Sequence, residues 1–143
     1  MPLTFLQGGE GLNNALSCKS HKISLKSHNG KYVVAQSDGS ANANGDARGP
    51  WEIFTLEKLG ENKIALKSYH GKYLVAETNH DVNANRERRG AWEIFILESQ
   101  DGGLIALRTA HGRYVVAEGD GRLMAKQSVV GPWEKFFPEC TGT

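Results

Sequence analysis

The sequence predicts an all-β chain built from three copies of one unit, and three observations carry that prediction. RGPWEIF begins at Arg48, RGAWEIF at Arg89 and VGPWEKF at Val130, which sets Trp51, Trp92 and Trp133 41 residues apart. Other landmarks keep the same spacing without a gap: Ile23, Ile64 and Ile105; Leu25, Leu66 and Leu107; Gly30, Gly71 and Gly112; Tyr32, Tyr73 and Tyr114; Phe54, Phe95 and Phe136. A fixed period of this size marks a repeat architecture. Inside each unit apolar and polar residues alternate with period two, the signature of half-buried strands. Finally, 17 glycines among 143 residues argue for frequent tight turns and short strands.

Each element follows from its own chemistry. KISLKS sets Ile23 and Leu25 on one face and Ser24 and Lys26 on the other, a first strand. HNGK is a turn, because Asn-Gly accepts the positive φ of a hairpin. KYVVAQ is rich in β-branched and aromatic residues, a second strand. SANAN and DVNAN read as short third strands, and WEIFTLE alternates again as a fourth.

Four strands in each of three units limit the architecture. A stack of three repeats would leave two open ends that need polar caps, and a propeller uses 4–8 blades. Closure into one barrel with a hairpin cap removes the exposed edges. The expected fold is therefore a β-trefoil: three repeats of about 41 residues around a pseudo-threefold axis. The expected organisation is an N-terminal extension, residues 1–21, packed against the barrel or partly ordered. One trefoil domain follows over residues 22–143, with repeats 22–62, 63–103 and 104–139.

Composition narrows function. A net charge of +1 gives no overall pull toward nucleic acid or membrane. The opening MPLTFLQGGEGLNN lacks a basic, then apolar, secretory pattern, and proline follows Met1, so no myristoylation motif stands there. These features point to the cytosol, where Cys18 and Cys140 are expected as reduced thiols, a bridge being conceivable if the termini meet. No CxxC or His/Cys cluster suggests a metal, and no cofactor is expected. GxSxG, HExxH, P-loop and dinucleotide signatures are all missing, so an enzyme is not expected.

The repeated residues are read first as scaffold. The three tryptophans are expected to fill threefold-related core positions. The glycine before each is expected to hold a backbone shape closed to other residues. Glu52, Glu93 and Glu134 are expected to accept turn N–H groups, and the tyrosines to point inward with hydroxyls near the barrel rim. The basic residues Lys31, Lys72 and Arg113 must then point out. Where the units differ, recognition is expected. The second unit carries NANRERRG, whose Arg86, Arg88 and Arg89 suit carboxylates through planar donor forks. These six cations are the candidate partner-binding residues. Asn42, Asn44, Asn83 and Asn85, with the turn histidines His28, His70 and His111, are the alternative candidates, since amides and imidazoles meet sugar hydroxyls as donors and acceptors.

The stretches ISLKSHNGKYVVAQSDG, IALKSYHGKYLVAETN and IALRTAHGRYVVAEGDG resemble the repeat unit of the fascin and hisactophilin family. The resemblance covers about residues 22–139. It implies a β-trefoil and binding to F-actin, whose acidic surface suits a basic face. A monomer or weak homodimer is expected, and one module with one face binds a filament without crosslinking it unless it dimerises or has two faces. The chain departs from hisactophilin in being poor in histidine. The other expectation is a glycan-binding trefoil with up to three related sites, although the Gln-x-Trp and HPxGG signatures of trefoil lectins are absent. A protease inhibitor or signalling ligand would need a longer exposed loop than any seen.

Overall fold

The computed structural model describes residues 9–142. A short helix α1 (Glu10–Leu16) precedes twelve strands: β1 (Lys22–Ser27), β2 (Tyr32–Ala35), β3 (Ala41–Gly45), β4 (Phe54–Gly60), β5 (Lys63–Lys67), β6 (Tyr73–Ala76), β7 (Val82–Arg86), β8 (Phe95–Gln100), β9 (Leu104–Arg108), β10 (Tyr114–Ala117), β11 (Leu123–Gln127) and β12 (Phe136–Cys140). Pairing closes six of them into a barrel: β1 pairs with β4 and β12, β5 with β4 and β8, and β9 with β8 and β12. All these pairs are antiparallel. The hairpins β2–β3, β6–β7 and β10–β11 gather over one end of the barrel. Single bridges join them, Ser40 to Asn83, Asn42 to Arg122 and Asp81 to Met124. An all-β closed barrel with extra hairpin strands is consistent with a β-trefoil.

The residues that kept the 41-residue spacing build the interior. Phe54, Phe95 and Phe136 are fully buried, and Ile23, Ile64, Ile105, Leu25, Leu66 and Leu107 surround them. Each large apolar side chain removed from water contributes about 1.5–3 kcal/mol, so these rings dominate the driving force. At the capped end the turns interlock through backbone bonds. Ala43 N–H donates to Gly121 O, Ala84 N–H to Gly39 O, and Ala125 N–H to His80 O. All three acceptor residues have positive φ, at +92°, +91° and +79°. Glycine suits that backbone, whereas His80 occupies it at a steric cost.

At the opposite end the chain departs from its own repetition. Leu56 N–H donates to His21 O and Leu97 N–H to Asn62 O. The third position is Pro138, which has no N–H to give. Helix α1 packs there, against β8, β9, β12 and the 101–103 turn. Ala15 joins the core, with Leu12 and Leu16 packed against it. Gly11 is buried so close to the 101–103 turn that an added Cβ would lie 2.3 Å from Gly103 O. A disulfide then links Cys18, just after the helix, to Cys140 at the end of β12, with Cα atoms 5.5 Å apart. The expectation of two free thiols is thus corrected. Thr141 N–H donates to Lys22 O beside the bridge, and that meeting of the two chain ends brings the sulfurs together.

Candidate functional site

Each Gly-x-Trp-Glu step folds as a 3-10 turn, at Pro50–Glu52, Ala91–Glu93 and Pro132–Glu134. The glutamate side chain closes the turn. Oε1 of Glu52, Glu93 and Glu134 accepts the backbone N–H of Gly49, Gly90 and Gly131 at 2.9, 2.5 and 2.6 Å. The expected role of these carboxylates is therefore observed. The glycines themselves are extended, with φ near −100°, −104° and −111°, which any residue adopts. What glycine supplies is room: a Cβ on any of the three would stand 3.0–3.2 Å from the capping oxygen.

Strands β4, β8 and β12 therefore begin at the phenylalanine, after the turn, and not at the tryptophan. Phe54, Phe95 and Phe136 enter the core, and the indoles face outward. Trp51, Trp92 and Trp133 are 37%, 38% and 44% exposed, which corrects their expected core placement. Each indole meets an imidazole from the neighbouring repeat. Trp51 and His70 have ring centroids 4.9 Å apart, edge to face, and Trp92 and His111 5.1 Å apart in the same manner. Nε2 of His70 donates to Ala35 O, and Nε2 of His111 to Ala76 O, each at 3.0 Å. A carbonyl only accepts, so Nε2 carries the proton in both rings. In the register of these two histidines the first repeat has Asn29. His28 replaces it from one position earlier and lies flat on Trp133, 5.1 Å away.

Tyr69, 67% exposed, stands edge-on to His70 and makes the first of these junctions the richest. A cavity of about 310 Å3 is lined there by Pro50, Trp51, Glu52 and Tyr69. A second, of about 350 Å3, shares Pro50 and Tyr69 and is lined also by Lys22, Arg48, Ser68 and Thr141. At the next junction a cavity of about 250 Å3 is lined by Lys63, Ala91, Ile94, Ile96, Thr109 and Ala110.

The sequence candidates fall into separate places. Asn42 and Asn83 line a cavity of about 170 Å3 in the hairpin cap. Asn42 accepts from Gln36, and Asn83 donates to Glu77. Asn44 and Asn85 lie against the turn glycines Gly121 and Gly39. No hydrogen bond among the described residues joins these amides to His28, His70 or His111. Of the cations, Lys31 pairs with Asp46 and Lys72 with Glu87, at 2.7 Å for the second. Each lysine holds its partner carboxyl below the usual carboxylate range, first by hydrogen bonding. Arg86 reaches Glu77 at 2.6 Å and Glu93 at 3.7 Å, and Arg89 pairs with Glu57. Arg88 and Arg113 form no ion pair with the described residues. Ser128 stands where Asp46 and Glu87 sit in the other repeats, which leaves Arg113 unmatched.

The three repeated tyrosines point in, as expected, and each hydroxyl donates to a repeated carboxylate. Tyr32 reaches Glu139 at 3.1 Å, Tyr73 reaches Glu57 at 2.8 Å and Tyr114 reaches Glu98 at 2.7 Å. The bond to Glu57 or Glu98, then burial, pushes the Tyr73 and Tyr114 hydroxyls above 10; for Tyr32 burial comes first. These pairs, backed by Arg48, Arg89 and Arg108, brace the barrel wall.

Sequence reading missed the outward placement of Trp51, Trp92 and Trp133 and the exposure of Tyr69. The signal available was the glutamate after each tryptophan: a side chain that folds back to cap the turn leaves its neighbour facing solvent. Among the described residues no group of three or more metal-ligating side chains occurs. A search of curated proteins returns no match. A family model described as Fascin domain matches residues 40–137, most of the chain and all three tryptophan turns. The chain therefore belongs to the fascin domain family.

Proposed function

We propose that the chain is a non-enzymatic recognition module that binds glycans through its outward indoles. One observation carries this reading: three half-exposed tryptophans, each held on a capped turn and backed by a histidine of the adjoining repeat. A rigid aromatic face takes the C–H side of a pyranose, while nearby donors and acceptors meet its hydroxyls. Three four-stranded units about a pseudo-threefold axis, in a trefoil domain from residue 22 preceded by the 1–21 extension, would present three related sites. The Cys18–Cys140 bridge supports the same reading, because disulfides persist in oxidising compartments, where free and surface glycans are met. The expected amides of the hairpin cap are replaced in this proposal by the indoles. His28, His70 and His111 are kept.

A second reading, binding of F-actin through a basic face in the cytosol, is favoured by membership of the fascin domain family. Its candidate contacts are Arg88 and Arg113, with Lys31, Lys72, Arg86 and Arg89 available only by exchanging their present carboxylate partners. A glycan array probed with the intact protein tests the first reading, with co-sedimentation on F-actin in parallel. Array binding lost in the Trp51→Ala, Trp92→Ala, Trp133→Ala triple variant is the expected result. An empty array together with salt-sensitive pelleting on actin would transfer the conclusion to the second reading.

A further inference from the structure

We infer that the junction of the first two repeats is a two-part site for an acidic glycan containing a hexuronate, an inference that rests on the glycan reading above. The two cavities there adjoin through Pro50 and Tyr69. The first offers aromatic faces, Trp51 and Tyr69, with the Glu52 carboxylate as acceptor, and suits a neutral pyranose face. The second is lined by two cations, Lys22 and Arg48. Arg48 Nη1 is held at 3.0 Å by Glu139, which orients the guanidinium and leaves its remaining N–H donors for a second carboxylate. Lys22 is exposed and forms no ion pair with the described residues. Ser68 Oγ accepts the N–H groups of His70 and Lys72 and keeps its own proton to donate.

Together the cavities exceed the lower bound of small-ligand sites, about 300 Å3, and accommodate two linked sugar rings. Lys22 and Arg48 disfavour a basic ligand in the second cavity. The other junctions lack this combination. In the register of Lys22, Arg48 and Tyr69, the second junction has Lys63, Arg89 and Ala110; Arg89 pairs with Glu57 as Arg48 does with Glu139, but it does not line the cavity there, and Ala110 brings no ring. The third has Leu104, Val130 and His28. The divergence among the three copies is thus concentrated on one cavity wall, and it places positive charge and an extra aromatic ring side by side.

The test compares digalacturonate with galactobiose, two probes that differ in their carboxylates, by calorimetry at low salt. The expected result is binding of the acidic probe about tenfold tighter, the equivalent of one desolvated ion pair, with the preference shrinking as salt is added. Lys22→Ala should erase the preference, bringing the two probes to equal affinity. Trp51→Ala and Tyr69→Ala should weaken both probes. Equal affinity for the two probes, or a preference that survives both Lys22→Ala and Arg48→Ala, overturns the acidic site while the glycan reading stands. Binding of neither probe also overturns the acidic site, and together with no hit of any kind on a glycan array it overturns both.

Discussion

The two ends of the barrel are made from the same repeated sequence and are built differently. At the capped end, three backbone bonds from Ala43, Ala84 and Ala125 close a ring of turns. At the other end two equivalent bonds form, Pro138 cannot make the third, and a helix with a disulfide fills the place. Repetition therefore supplies closure only where every copy keeps its donor. Where one copy loses it, the chain recruits a segment from outside the repeats and fastens it covalently.

The disulfide offers the strongest means of breaking this contrast. Replacing Cys18 and Cys140 together by serine should lower stability by about 2–5 kcal/mol, because the bridge spans 122 residues of chain. Denaturant unfolding of the variant beside the oxidised wild type measures it, and a difference below 1 kcal/mol would mean that the helix holds its place without the bridge. Gly11→Ala addresses the same end through sterics. Its methyl would lie 2.3 Å from Gly103 O and 2.6 Å from Gly103 C, so backbone must move, at a cost of roughly 1–3 kcal/mol. Amide exchange should show α1 and the 101–103 turn opening while the hairpin cap stays protected. The smallest change sharpens the other side of the comparison. His80→Gly restores the residue that its two counterparts already have, Gly39 and Gly121, and should stabilise the cap by about 0.5–1 kcal/mol, read as a rise in melting temperature. A loss on that substitution would show that the imidazole, and not its backbone, matters at that turn.

Much of the architecture was legible because it depends on residues that recur. Ile23, Leu25, Phe54 and their counterparts recur at 41 residues and alternate with polar neighbours, and such a pattern has one way to bury its apolar side. The tryptophans recur as faithfully, yet periodicity cannot say which of two recurring aromatics three residues apart enters the core. The Glu capping bond decides it, by folding Trp51 outward and passing Phe54 inward. The partners of the indoles were hidden for another reason. His70 meets Trp51 across a repeat boundary, and His28 serves Trp133 from a shifted position, so alignment of the units conceals both contacts. Helix α1 left only a faint trace, Leu12, Ala15 and Leu16 at helical spacing within seven residues, too short to stand without the barrel beneath it. The pairing of most cations was equally unreadable, because Arg89 finds Glu57 from 32 residues away.

The position of the disulfide has a mechanical consequence. Pulling on the two ends of the chain would load residues up to Cys18, cross the sulfur–sulfur bond and leave through Cys140. Every strand from β1 through most of β12 lies outside that line of tension. A tether or a neighbouring domain attached at either terminus would thus drag the whole barrel as a rigid bead, without peeling it open.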